Sequence, residues 1–202
     1  MDVVYRLAQR ADIELILELH ARYQIDTIAD DDRKDGFITT AFTKEQLKEL
    51  IDKEQGLFVA QKGETIVAYV MAASWLYWSR WPMFAHMVAG LSELEYEGYR
   101  LDVVNSYQYG PVCVDKSVRG QGVFEAVFYF ALQAMANRYP VLVTFINKVN
   151  TRSFAAHTKK VALQVIHEFE FNNNHYYELA CLTELVSHRE AKALSDMSFN
   201  RA

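Results

Sequence analysis

Apolar and polar residues alternate over Val3–Ala8, the period of a half-buried strand. The next stretch, "DIELILELHARY", changes to a helical period. It sets Ile13, Ile16, Leu17 and His20 on one face behind Asp12 as a candidate N-cap. A polar run, "DDDRKDGF", predicts a loop. In "FTKEQLKELI" after it, Thr43 and Gln46 stand at capping-box spacing and Leu47, Leu50 and Ile51 form an apolar face. "LFVAQKGETIVAYVMAAS" holds two β-rich runs around Gly63-Glu64 and reads as an antiparallel hairpin. Residues 75–106 follow no simple period. They hold all three tryptophans (Trp75, Trp78 and Trp81) and the acidic, aromatic "ELEYEGYRLD", and they read as an insert or lid.

Tyr107–Asp115 reads as a strand whose Gly-Pro step marks an edge or a bulge. "GVFEAVFYFALQAMANR" is apolar nearly all round, as a buried helix is, and Val141–Ile146 is a β-branched run suited to a strand covered on both faces. Asn150 stands as N-cap of a short helix in "NTRSFAAHTKK". "LQVIHEFEF" and "HYYELACL" give two strands joined at Asn172–Asn174. The tail from 183 to 202 reads as helical and polar. The order is β-α-α-β-β-(insert)-β-α-β-α-β-β, an α/β chain of the α+β type with one domain over residues 1–182.

Charge narrows the function. The 202 residues carry 21 basic and 26 acidic side chains, a net charge of −5, which argues against nucleic acid or an anionic membrane as the main partner. A local anion site stays open, because a helix N-terminus binds anions without net positive charge. Cys113 and Cys181 are too few for a disulfide framework and fall in apolar runs, which suits reduced thiols in the cytoplasm. The N-terminal residues show no signal-peptide pattern, and no run reaches the roughly 18 apolar residues of a membrane span. The six histidines show no metal-ligand spacing, so no metal is expected.

The richest local signal is "SVRGQGVFEA", with Gly120 and Gly122 between a strand and a long helix. Two readings fit: a plain turn, or a main chain cleared of side chains so that its N–H groups can hold a phosphate. A dinucleotide fingerprint and a Walker loop are both absent.

These residues resemble the GNAT family of N-acetyltransferases. The family signature Gln/Arg-x-x-Gly-x-Gly/Ala aligns with Arg119, Gly122 and Phe124, and "VDKSVRGQGVF" matches the strand–turn–helix around it. A second family segment matches "NTRSFAAHTKKVA" through Asn150, Ser153 and Lys159. Three positions depart: Phe124 replaces a small residue, Val161-Ala162 replaces Gly-Phe, and His157 stands where a tyrosine is common.

The resemblance implies a mixed, mostly antiparallel sheet flanked by helices, with acetyl-CoA or another acyl-CoA as co-substrate. The diphosphate would lie on the amides of Arg119, Gly120, Gln121, Gly122, Val123 and Phe124, with Asn150 and Ser153 beside them. The pantetheine arm would pair with the main chain of Val112, Cys113 and Val114. His157 falls in the acid slot; the alternative is that it packs or caps its helix. Its removal is expected to lower turnover and leave acetyl-CoA affinity unchanged. For a general base the candidates are Tyr107, Tyr109, Glu97 or a chain of waters.

The implied reaction is direct acyl transfer to an amine of a small molecule or protein. The competing reading is a non-catalytic acyl-CoA sensor or scaffold, suggested by Phe124 and the missing Gly-Phe. The tryptophan segment could wall an acceptor pocket, dock on the surface, or form a homodimer contact.

Overall fold

A computed structural model describes residues 2–28, 37–161 and 163–184. The chain opens with β1 (Val3–Leu7), one 3-10 turn at Arg10–Asp12, and α1 (Ile13–Tyr23). Asp12 does not cap α1 as the sequence suggests. Its own backbone is already helical, and its carboxylate accepts from the Gln9 N–H at 2.7 Å and from Arg6 Nη1 and Nη2 at 2.7 and 2.8 Å. On α1 the fully buried apolar positions are Ile16 and Leu19, with Leu17 only half-buried. The second helix, α2 (Lys44–Glu49), starts in the expected capping box. Gln46 N–H donates to Thr43 Oγ1 at 3.2 Å and Thr43 N–H to Gln46 Oε1 at 2.8 Å.

A wide turn, Leu50–Glu54, then leads through Gly56 into the hairpin β2 (Leu57–Lys62) and β3 (Thr65–Ala73). Residues 75–100 form α3 (Trp75–Trp78), α4 (Pro82–Gly90) and a small hairpin of β4 (Glu95–Tyr96) with β5 (Tyr99–Arg100). Trp75 and Trp78 are fully buried. Their indole N–H groups donate to Ser106 Oγ at 3.0 Å and to the Gln108 carbonyl at 3.2 Å, so both anchor the segment to the sheet.

The chain continues with β6 (Ser106–Val114), α5 (Val123–Ala136), β7 (Val141–Asn147), α6 (Thr151–Lys159), β8 (Gln164–Phe171) and β9 (Asn174–Leu182). Seven strands make one sheet in the order β1-β2-β3-β6-β7-β9-β8, in which only β6 and β7 run parallel. The mixed, mostly antiparallel sheet expected from the resemblance is therefore present. The expected polar tail lies outside the described residues beyond Glu184, as does Ala162.

Alternation along each strand divides the core in two. One face packs Tyr69, Met71, Cys113, Val141 and Val143 against α1 to α4; the other packs Val70, Tyr107, Tyr109, Leu142 and Leu179 against α5 and α6. Among the described residues no helix is long and apolar enough to cross a membrane.

Gly56 lies where two main chains touch. Its N–H donates to the Leu50 carbonyl at 3.1 Å and its carbonyl accepts from Ala72 N–H at 2.7 Å. A Cβ there would run into the Ala72 carbonyl, a backbone atom with no side-chain freedom to yield. Gly56→Ala should therefore lower unfolding stability by about 3 kcal/mol in a denaturant titration, the cost of overpacking. An unchanged midpoint would show that the contact does not constrain the fold.

Candidate functional site

The site begins where β6 and β7 part. They pair only at Ser106–Gln108 with Val141–Val143. Beyond that, β7 keeps β9 as its partner to Asn147 and β6 keeps β3 to Val114, while their facing edges diverge. A bulge accompanies the parting: the β3–β6 register slips between Val70 and Ala72, opposite Gly110-Pro111. Gly110 takes φ 103°, which favours glycine, and Pro111 has no N–H to give to a ladder. At the apex the Tyr109 carbonyl accepts from Thr144 Oγ1 at 2.7 Å and Gln108 Nε2 at 2.6 Å. Side chains thus supply the bonds that a continued parallel ladder would have made.

The parity of the ladder says which main-chain groups face the opening. Asp115 N–H donates to the Val67 carbonyl of β3 at 2.9 Å. In an antiparallel pair the N–H and C=O of alternate residues point the same way. Cys113, two residues back and opposite Tyr69, therefore also faces β3, while Val112 and Val114 turn theirs toward the gap. Of the three residues expected to offer main chain, Val112 and Val114 turn theirs to the gap, where the Val114 carbonyl accepts from Arg119, and Cys113 turns its own to β3. The Cys113 side chain is buried on the α1 face, and burial pushes its thiol up to about 12.

Beyond β6 the chain is pinned before the glycine turn. Asp115 Oδ1 accepts from Ser117 N–H at 2.9 Å and Ser117 Oγ at 2.7 Å, while Asp115 Oδ2 accepts from Arg22 at 2.7 Å. Lys116 N–H donates to the Tyr23 hydroxyl at 2.8 Å. Gly120 and Gly122 then take φ 76° and 77°, and Gly122 caps α5. A Cβ on either would meet nothing within 4 Å, so the backbone angle, more than crowding, calls for glycine. The first α5 bond runs from Ala126 N–H to the Gly122 carbonyl. The N–H groups of Gly122, Val123 and Phe124 have no backbone acceptor among the described residues, and they converge at the positive end of a 14-residue helix.

A cavity of about 490 Å³ joins these features. Lining it are Tyr109, Val112, Cys113, Val114, Arg119, Gly120, Gly122, Val123, Phe124, Asn150, Ser153 and His157. Gln121 lies outside the lining, its side chain donating to the Ser117 carbonyl at 3.0 Å. The Arg119 guanidinium folds back, donating to the Val114 carbonyl at 3.1 Å and covering the Tyr23 ring at 5.0 Å. Asn150 Oδ1 caps α6 by accepting Ser153 N–H at 3.2 Å, so its side chain shapes the wall. Sequence reasoning missed Thr144, Gln108, Phe84, Phe145 and Tyr176, all of which line the cavity. Only the folded sheet brings them together, and no local motif marks them.

His157 is 4% exposed, enclosed by the rings of Phe124 at 5.0 Å and Tyr109 at 5.7 Å. Its Nδ1 lies 2.8 Å from the Ser153 carbonyl, which can only accept; the proton therefore sits on Nδ1 and Nε2 carries the lone pair. Burial lowers its pKa from 6.5 to about 4. The sequence reading had a ring exchanging protons near neutrality; here the ring is neutral at pH 7. Tyr109 is 1% exposed, its hydroxyl has no partner among the described residues, and burial drives its pKa well above 10. It stays protonated at neutral pH and so cannot act there as a base. Among the described residues no three His, Cys, Asp or Glu side chains gather as a metal set.

The sequence matches no protein-family model and no curated protein. Solved structures match across most of the chain. A GNAT-family acetyltransferase from Streptococcus pneumoniae superposes with TM-score 0.60 at 12% identity, over 90% of this chain and 99% of that one. An N-acetyltransferase from Staphylococcus aureus Mu50 gives 0.59 at 16% identity, over 91% and 99%. The Salmonella typhimurium protein yncA, solved with its cofactor acetyl-CoA, gives 0.55 at 13% identity, over 90% and 94%. At these identities the likeness is one of fold, and the fold is that of GNAT acetyltransferases.

If Phe124 helps keep water from His157, Phe124→Ala should raise the His157 pKa from about 4 toward 6.5 in an NMR titration of the ring. A histidine whose folded pKa is depressed favours the folded state above pH 6.5, and that contribution is lost as pH falls from 6.5 to about 4. The variant should lose less stability than the parent across that window. An unmoved pKa would show that Phe124 does not set it.

Proposed function

We propose that the protein moves an acetyl group from acetyl-CoA to a primary amine by direct transfer. The observation that carries this reading is the parted β6–β7 edge, whose main-chain groups have lost their ladder partner and lead to a bare helix N-terminus. The amides of Gly122, Val123 and Phe124 would hold the diphosphate, helped by Arg119. Val112 and Val114 would pair with the amides of the pantetheine arm as an added strand. When bound, acetyl-CoA supplies an activated thioester carbonyl.

Val112 N–H, turned into the cavity, would donate to the carbonyl oxygen as it gains charge during attack by the neutral amine. His157 would then serve as a relay, not as a standing acid. Its Nε2 lone pair takes the proton that the amine nitrogen sheds and passes it to the sulfur as the C–S bond breaks. A pKa near 4 means that the ring holds the proton only in transit. One observation favours a second reading, an acyl-CoA sensor without turnover: Phe124, where the family carries a small residue, packs on His157. Release of CoA with amines above the hydrolysis background decides between the two.

Acetyl-CoA should raise the melting temperature of the wild type by ligand linkage. Gly122→Glu, which sets a carboxylate at the helix N-terminus, should weaken binding by more than about tenfold. Gly122→Ala keeps the backbone cost at φ 77° without the charge and serves as the control for folding. Equal affinity of Gly122→Glu and wild type, or no melting shift in the wild type, would refute the cradle. His157→Ala should lower kcat by about 10²-fold or more with acetyl-CoA affinity unchanged. The wild-type kcat should show no His157 step near pH 6.5. Such a step, abolished in the variant, would restore the standing-acid role and contradict the relay.

A further inference from the structure

The cavity passes through the sheet, and its two ends differ in chemistry. On the α5–α6 face its wall carries Arg152, Lys159 and Lys160, with Arg119 at the turn before α5 reaching over the Tyr23 ring of α1. Glu125, in the first turn of α5, is bridged to Lys160 at 3.1 Å. On the opposite face the wall is Phe37, Ile38, Phe84, Phe145 and Tyr176, with the hydroxyls of Thr39 and Thr40 beside them.

From this contrast we infer that the acceptor is a primary amine borne on an aromatic or other flat apolar body. The inference rests on the acyl-transfer reading and narrows its substrate class. The attacking nitrogen must be neutral, so its own charge is shed before reaction. A polyamine would set further ammonium groups on a flexible chain against these fixed rings, and an aromatic face only partly offsets an ammonium's lost hydration. A phenyl or indole ring forfeits nothing. The wall rings already meet edge to face, Phe84 with Phe145 at 5.6 Å and Phe145 with Tyr176 at 5.5 Å, and a substrate ring would extend that packing.

The box is also held open in advance. Phe84 is 2% exposed, backed by Trp78 at 4.8 Å and Trp81 at 6.1 Å. Ile38 is tied to the end of α1 by its N–H to the Tyr23 carbonyl at 2.9 Å and by the Ile25 N–H to its own carbonyl at 2.8 Å. A preformed wall lowers the ordering cost of binding and favours a rigid ligand of matching shape. The tryptophans thus act from behind, holding the residues that touch the acceptor.

Such an amine could be a free arylalkylamine or the first residue of a peptide with an apolar side chain, since both present the same group. The test uses the full chain with saturating acetyl-CoA and follows CoA thiol release with phenethylamine, a Phe-initiated tetrapeptide, and spermidine. At least one aromatic amine should exceed spermidine by tenfold or more in kcat/KM, and the ratio of the two aromatic arms identifies the source. Phe37→Asp changes a half-buried loop position and should cut the aromatic preference at least tenfold. Preference for spermidine, or an unmoved preference in that variant, would overturn the inference. If no amine is turned over while acetyl-CoA still raises the melting temperature, the transfer reading fails. In that case the inference is judged by ligand-observed NMR on the CoA-bound protein: contact by phenethylamine and not spermidine supports the aromatic site, and the reverse overturns it.

Discussion

A parallel pair that stops early governs the rest of this structure. β6 and β7 share three residue pairs, and then each holds only its outer partner. Had the ladder continued, the N–H and C=O groups of Val112 and Val114 would be spent on Asn147 and its neighbours, and the sheet would be closed. The bulge at Gly110-Pro111 prevents this, and Thr144 and Gln108 seal the apex by saturating the Tyr109 carbonyl. Buried main-chain groups demand partners, so a gap of this kind in a central sheet persists only if a ligand or solvent can fill it.

The same gap makes the site lopsided. One side leads to a helix N-terminus and the basic side chains of Arg152, Lys159 and Lys160, suited to phosphates. The other leads to aromatic rings fixed by the tryptophan helices. His157 lies on the phosphate side, in a pocket dry enough to keep its ring neutral. Its tautomer is fixed by the Ser153 carbonyl, which Asn150 positions by capping the same turn. Helix capping and proton placement are therefore one connected arrangement, and Phe124 packs directly against it.

Local signals in the sequence were legible because local bonds produce them. The Thr43–Gln46 box, the Gly63-Glu64 hairpin, the Asn150 cap and the glycine turn before α5 all depend on residues a few positions apart. The Gly-Pro step announced a bulge but not its consequence, since where β7 stops following β6 is a tertiary fact. Asp12 misled because Arg6, on the strand just before it, outcompeted the helix for its carboxylate. The tryptophan segment had no readable period because it is broken into two short helices around anchors on β6. The aromatic wall was invisible for a related reason: Phe37, Phe84, Phe145 and Tyr176 come from a loop, a helix and two strands. The lowered His157 pKa likewise arises from neighbours far apart in the chain.

The claim that β6 lends its free edge to coenzyme A has a sharp signature in the alternation of its residues. Backbone amide hydrogen exchange, followed residue by residue with and without acetyl-CoA, reads it directly. Protection should appear at Val112, Val114, Gly122, Val123 and Phe124, while Cys113, already bonded to β3, should be protected in both states. Protection gained equally along the whole strand, or gained elsewhere with these amides unchanged, would contradict the account.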